Sequence, residues 1–195
     1  MRITGGLCRG RPIVAPPGLA ARPTSDRARE ALFNRLEHAA WSPGVADMRV
    51  IDLFAGSGAL GLEALSRGAA ACVFVETDDR ARAAIRDNLD ALAPSGDLFG
   101  RTRILRRDAT ALGAIGTSGL ARFDLALLDP PYRAGLGERA LTSLAAGGWL
   151  EADACCVLEQ GADEPDPTAA GYRLIDARRY GAAKLHVLRW SPGAA

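Results

Sequence analysis

From about residue 49 onward, short β-type runs alternate with helical stretches, and this alternation limits the chain more than any other feature does. Candidate strands are Val50 to Phe54, Ala71 to Val75, Thr102 to Leu105, Phe123 to Leu128 and Cys155 to Glu159. Between them, Ala59 to Arg67, Asp79 to Leu92, Ala109 to Ile115 and Gly135 to Ala145 read as helices. The strands are near-continuous apolar runs, as expected when helices cover both faces of a mostly parallel sheet. The last part departs from this pattern. Tyr172 to Tyr180 and Lys184 to Trp190 are β-rich and joined by Gly181-Ala182-Ala183, which predicts an antiparallel hairpin ending the sheet.

With 195 residues, 48% of them hydrophobic, the chain suits one compact domain with a substantial core. No stretch approaches the roughly 20 apolar residues that span a bilayer, and Met1-Arg2-Ile3-Thr4-Gly5-Gly6 lacks a signal-peptide apolar segment, so a cytoplasmic location is expected. Cys8, Cys72, Cys155 and Cys156 form no CxxC pair and, with two histidines, offer no metal-ligand spacing; reduced structural thiols and no metal are expected.

The net charge of +1 does not announce a nucleic-acid binder, but the charges are unevenly placed. Residues 1–29 hold Arg2, Arg9, Arg11, Arg22, Arg27 and Arg29 against Asp26 alone. In this segment Ile3 to Val14 suits a small hairpin, and Pro16-Pro17-Gly18 a turn. Ser25 or Asp26 could cap a helix to about Glu37 that buries Ala28, Leu32 and Leu36. Residues 1–40 thus read as an N-terminal extension of the same domain, with 41–195 as the catalytic part. Pro94 to Gly100 and Gly161 to Gly171 read as loops.

Two segments carry chemistry. Asp52-Leu53-Phe54-Ala55-Gly56-Ser57-Gly58-Ala59-Leu60-Gly61 joins a strand to a helix, and Gly56, Gly58 and Gly61 fit G-x-G-x-x-G. The loop, with Phe54, Ala55 and Ser57, could hold a pyrophosphate or the methionine and ribose parts of S-adenosylmethionine. Glu76, about 20 residues on at the end of the second strand, is placed to accept from both ribose hydroxyls of either ligand. Asp52 could compensate a methionine ammonium directly or through water; a dinucleotide has no ammonium there, so Asp52 tilts the choice to S-adenosylmethionine. Asp108 could accept from the adenine amino group, although an Asp there also caps a helix well.

Asp129-Pro130-Pro131-Tyr132 follows a buried strand at the carboxyl edge, where open α/β sheets hold their ligands. The lone pair of an exocyclic base amine is delocalised into the ring. The amine attacks only when acceptors hold its hydrogens, and the Asp129 carboxylate and Pro130 carbonyl can be those acceptors. Pro130 and Pro131 restrict the backbone, and Tyr132 can stack on an extruded base. A plain proline turn is the alternative for such residues occurring singly. Together the two segments point to a methyltransferase acting on an amino nitrogen of a base.

The chain resembles the bacterial small-subunit ribosomal RNA guanine-N2 methyltransferases, the RsmD-type family, over nearly its whole length. The resemblance lies in Arg2-Ile3-Thr4-Gly5-Gly6 with Arg9-Gly10-Arg11, Arg22-Pro23-Thr24-Ser25-Asp26-Arg27 with Arg29-Glu30, Asp52 to Gly61, Glu63-Ala64-Leu65-Ser66-Arg67-Gly68 and Asp129 to Tyr132. It implies an α/β class I S-adenosylmethionine-dependent methyltransferase fold, Rossmann-like, whose seven-stranded sheet ends in an antiparallel strand. It also implies methylation of N2 of one guanine in 16S ribosomal RNA, on assembled or partly assembled small subunits. Asp129, Pro130, Pro131 and Tyr132 would form the base pocket, and Arg2, Arg9, Arg11, Arg22 and Arg27 an RNA-contacting element; a single copy is expected to act. Arg22, Arg27 and Arg29 could instead brace the helix over the cofactor.

Three rivals remain. An adenine-N6 methyltransferase of DNA or RNA would use the same tetrapeptide, but the DNA enzymes usually carry a separate target-recognition region for which there is no room here. A dinucleotide-dependent oxidoreductase leaves Asp129 to Tyr132 unexplained. A non-catalytic RNA-binding factor leaves the intact acceptors unexplained.

Overall fold

The computed structural model describes residues 1–15, 26–42, 44–92 and 101–193. Among these, seven strands form one sheet: β1 (Arg49–Leu53), β2 (Ala71–Val75), β3 (Thr102–Leu105), β4 (Phe123–Leu128), β5 (Leu150–Gly161), β6 (Tyr172–Tyr180) and β7 (Ala183–Trp190). Their spatial order is β3-β2-β1-β4-β5-β7-β6. The first five run parallel, while β7 lies antiparallel to both β5 and β6. The terminal hairpin predicted from sequence therefore forms, and its final strand sits inside the sheet. Its turn is tighter than expected: Ala183 already pairs with Tyr180, and Gly181 stands at φ 62, the left-handed backbone that two-residue hairpin turns need.

Residue alternation along the strands divides the core in two. On one face Val50, Leu125, Leu127, Cys155 and Val157 pack beneath α1 (Asp26–His38), α2 (Ala59–Ser66) and α3 (Asp79–Leu92). On the other, Ile51, Leu53, Ala126, Leu128, Cys156 and Leu158 pack beneath α4 (Leu136–Ala146) and the buried Trp149. Adjacent Cys155 and Cys156 thus face opposite cores, and all four cysteines are free and buried.

The N-terminal segment joins the first core through Ile3, Cys8 and Ile13. It is the expected small hairpin, closed by an Arg2–Pro12 bridge with Ile3 donating to the Arg11 carbonyl and Gly10 to that of Ile3. Helix α1 buries Ala28, Leu32 and Leu36 as its spacing predicts, and also Arg29 and Phe33. The turn at Pro16-Pro17-Gly18, the Ser25 cap and the Pro94 to Gly100 loop fall outside the described residues.

Two expectations need correction. Ala109 to Ile115 is not a helix but two 3-10 turns, Ala109–Ala111 and Ile115–Thr117. Gly113 separates them at φ 70, and its carbonyl turns aside to accept from the Trp149 indole at 2.7 Å. Strand β5 begins at Leu150 rather than Cys155: Phe123 pairs with Leu150, then the register shifts so that Leu125 pairs with Cys155. Asp153, at φ 61, lies within this irregular stretch, whose polar residues gave no strand signal.

Candidate active site

The order of the sheet reverses between β1 and β4, because β2 and β3 extend from one side of β1 and β5, β7 and β6 from the other side of β4. Such a switch point opens a crevice at the carboxyl ends of the strands. The glycine loop leaves β1 and the Asp129 segment leaves β4 on its two sides. Leu53 pairs with both Val75 and Leu128, and Leu128 with Leu158. The next residue on each strand forms a row along the edge: Glu76, Phe54, Asp129, Glu159.

The turn out of β1 is held in unusual backbone. Phe54 is a non-glycine residue at φ 58, followed by Gly56 at φ 54 and Gly58 at φ 80. Each glycine has a distinct reason. A Cβ on Gly61 would lie 2.4 Å from the Phe74 ring and 2.6 Å from Cys72 Sγ, so the close approach of α2 to β2 at this point needs a residue without a side chain. On Gly58 it would press Ile85 and Phe74 at 3.2 and 3.3 Å. A Cβ on Gly56 would meet nothing nearer than the Phe54 carbonyl oxygen at 3.9 Å, which leaves that side of its backbone open to a ligand.

The Glu76 carboxylate reaches back to this loop, Oε2 accepting from Gly56 N at 2.9 Å and Oε1 from Asp78 N at 2.9 Å. A carboxylate has about four lone-pair sites, so these bonds fix its position and leave capacity for hydroxyl donors. Asn88 on α3 secures the other side of the loop: its Nδ2 donates to the Ser57 carbonyl at 3.0 Å and the Val14 carbonyl at 3.0 Å, while Oδ1 accepts from Val14 N at 2.9 Å. One buried amide thus ties the glycine loop to the N-terminal hairpin. Asp108 is exposed and caps the first 3-10 turn, accepting from Thr110 N and Oγ1, each at 2.8 Å. Those bonds hold its carboxyl below the ordinary aspartate range.

Asp52 lies beneath the glycine loop rather than in it. Alternation along β1 puts it on the α2 face with Val50, 1% exposed, where it accepts from Gly61 N at 2.9 Å. Burial raises its pKa to about 8; the Gly61 bond opposes the rise and the Glu76 charge adds to it.

Across the crevice Asp129 is half-buried, Pro130 is buried, and the Tyr132 hydroxyl donates to Glu159 Oε1 at 2.6 Å. Arg133 stands at φ 61, its amide donating to Glu164 Oε2 at 3.0 Å, while Glu164 Oε1 accepts from Gly161 N at 2.7 Å. The segment after β4 is therefore tied at two points to the end of β5.

At the back of α2, Glu63 is fully buried and gathers the N-terminal segment. It accepts from Thr4 N at 2.8 Å, Thr4 Oγ1 at 2.6 Å, Gly5 N at 2.9 Å, Arg67 Nε at 2.8 Å and Arg29 Nε at 3.3 Å. Gly6, at φ 72, lies so close to Ser66 that a Cβ would fall 1.9 Å from its carbonyl oxygen. These contacts explain the Thr4-Gly5-Gly6 and Glu63-to-Gly68 motifs as two halves of one joint. The buried Arg29, which also bonds Asp26 and the Arg2 carbonyl, is part of it. Arg9 and Arg27 are exposed; Arg2 donates to the Gly10 carbonyl and Arg11 to that of Ala91, while Arg22 lies outside the described residues.

The model of the family described as "Conserved hypothetical protein 95" matches residues 1–189. Ribosomal RNA small subunit methyltransferase D of Escherichia coli K12 is 37% identical over 168 residues, covering 86% of this chain and 78% of that protein. The chain belongs to the RsmD family. The protein of the same name from Haemophilus influenzae is 33% identical over 183 residues, covering 93% of this chain and 89% of its own. The solved structure of Escherichia coli yhhF matches with a TM-score of 0.80 at 32% identity and 98% coverage of both chains. The SMU.776 structure, solved with SAH bound, shares the fold alone at 14% identity, with a TM-score of 0.58 and coverage of 83% and 49%.

Within this RsmD family member, sequence reasoning missed Glu159, Glu164 and Asn88. Each acts through a partner distant in the chain or through backbone amides. The one available signal was a carboxylate following the apolar run Cys155 to Leu158, where a strand bound for burial would otherwise continue with apolar residues.

Proposed function

We propose that this protein transfers a methyl group from S-adenosylmethionine to the exocyclic N2 amine of a guanine in 16S ribosomal RNA, in the cytoplasm and within an assembled or partly assembled small subunit. A single copy carries out the reaction. The observation that carries the reading is the edge row at the switch point, with Glu76 and the glycine loop on one side and Asp129 and Tyr132 on the other. The names of the family's curated relatives support the ribosomal substrate.

The residues fit the cofactor. The open backbone at Gly56, with Phe54, Ala55, Ser57, Gly58 and Gly61 shaping the loop, would cradle its methionine and ribose parts, Glu76 would accept from the ribose hydroxyls, and Asp108 from the adenine amine. Asp52 supports the loop through Gly61. When bound, S-adenosylmethionine supplies an electrophilic methyl carbon on a sulfonium.

The chain's own residues prepare the nucleophile. The Asp129 carboxylate and Pro130 carbonyl accept the two amine hydrogens and so localise the nitrogen lone pair. Tyr132 stacks on the extruded base, worth about 1 to 3 kcal/mol, and Pro131 keeps the acceptors preorganised. The methylated nitrogen is acidic, and its proton passes to Asp129 or water. Arg2, Arg9, Arg11, Arg22 and Arg27 contact RNA phosphates from the N-terminal side.

The test is to incubate the protein with labelled S-adenosylmethionine and small subunits from a methylation-deficient strain, then map the labelled nucleotide. Label at guanine N2 is expected; label in adenine, or none in RNA, overturns the proposal. Asp129→Ala is expected to abolish transfer while leaving S-adenosylmethionine affinity within a few fold, as measured by calorimetry.

A further inference from the structure

Stacking needs the face of an aromatic ring, and phenylalanine offers that face as well as tyrosine does. The hydroxyl of Tyr132 therefore calls for its own explanation. It donates to Glu159 Oε1 at 2.6 Å, within the short range of a hydrogen bond to a carboxylate. Glu159 follows Leu158 at the end of β5, is 4% exposed, and stands in the edge row beside Asp129. A buried carboxylate is costly unless hydrogen-bonded, so Glu159 has a firm position from which to hold a partner.

The surroundings complete the restraint. A Cβ on Gly161 would lie 3.5 Å from Tyr132 Cδ2, so the ring edge lies against the β5 backbone where the side chain is smallest. Glu164 bonds both Gly161 N and Arg133 N, which fixes the backbone on the far side of Tyr132. Backbone, ring edge and hydroxyl are each tied to the end of β5.

We infer that Glu159 is a positioning residue for methyl transfer: by holding the Tyr132 hydroxyl it sets the plane of the ring on which the target base stacks, without touching the base. This inference rests on Asp129-Pro130-Pro131-Tyr132 being the base pocket. A freely turning ring would still attract a base, but would present the amine out of line with Asp129 and Pro130. Misplacement of about 1 Å costs on the order of 100-fold in rate.

The experiment measures kcat, KM for small subunits and S-adenosylmethionine affinity for Tyr132→Phe, Glu159→Ala, Glu159→Gln and the Tyr132→Phe/Glu159→Ala double variant. The two single changes that break the bond are expected to lower kcat by about 10- to 100-fold. The double variant should be no worse than the weaker single one, because both remove the same bond. Glu159→Gln keeps an acceptor and should stay within a few fold of the parent, with cofactor affinity unchanged throughout. A merely structural Glu159 would instead lower the melting temperature and leave kcat of the folded fraction intact, and that outcome overturns the inference. So do full activity in Tyr132→Phe, which keeps the fold even if Glu159→Ala does not, and losses that multiply, which would mean Glu159 acts on the base itself. Tyr132→Ala separates the two levels: full activity there refutes the base pocket, whereas an inactive Tyr132→Ala beside a fully active Tyr132→Phe refutes the positioning role alone.

Discussion

Replacing Asn88 by alanine tests how the glycine loop is held. The side chain makes three hydrogen bonds, two to Val14 and one to the Ser57 carbonyl. Val14 is 64% exposed, so its backbone groups can turn to water, and each lost bond there costs about 0.5 to 1.5 kcal/mol. Ser57 is 9% exposed; an orphaned carbonyl in such a place costs about 1 to 3 kcal/mol. Because the terms overlap, a total of about 2 to 4 kcal/mol is expected, which at a slope near 2 kcal/mol per molar lowers the urea midpoint by roughly 1 to 2 M. Asn88→Asp sharpens the test. It has nearly the same shape but sets an oxygen against two carbonyl oxygens, and should be at least as damaging as alanine. Urea unfolding gives the stability, and calorimetric titration with S-adenosylmethionine should show weaker binding in both variants. A loss below about 0.5 kcal/mol in Asn88→Ala, or an Asn88→Asp variant as stable as the parent, would refute the reasoning.

Gly61→Ala should destabilise by about 1 to 3 kcal/mol or more, read as a fall in melting temperature, because its Cβ would meet Phe74 at 2.4 Å and Cys72 at 2.6 Å. Asp52, at about 8, binds its proton more tightly folded than unfolded, where 3.8 applies. Its contribution to stability is therefore present in full below about pH 4 and is lost as pH rises toward 8. A side-chain amide mimics the protonated acid, so Asp52→Asn should gain on the parent across that window, and urea midpoints that stay parallel from pH 5 to 8 would count against the assignment. Arg9→Ala should reduce the slope of log affinity against log salt for the small subunit by about one unit without changing cofactor affinity; an unchanged slope places Arg9 away from the RNA.

The parallel sheet, the two motif loops and the antiparallel end were legible because each is written in adjacent residues: apolar runs, glycines at fixed spacing, a turn between two β-rich segments. What escaped depends on distance in the chain. The 3-10 turns at 109–117 depend on Gly113 accepting from Trp149, 36 residues away, and no local periodicity reports such a contact. Asn88 bonds Val14 across 74 residues, and Tyr132 bonds Glu159 across 27. Asp52 was legible as a strand-end carboxylate, but its burial against the Gly61 amide was set by the pleat, which one step of register would reverse. Thr4-Gly5-Gly6 and Glu63 could be matched as motifs, yet only the structure brings them together at one buried carboxylate.

The placement of β7 bears on how the molecule is made. The last strand of the sheet is not an edge strand: it fills the slot between β5 and β6. Without residues 183–190, β5 would have an unpaired border and β6 no sheet to join. Glu159 and Gln160 pair with Leu185 and Lys184, so the strand end that steadies Tyr132 is itself complete only with β7 in place. A nascent or truncated chain lacking β7 would expose apolar strand borders open to mispairing with other chains. Continuity of the sheet and the setting of Glu159 thus depend on the same strand.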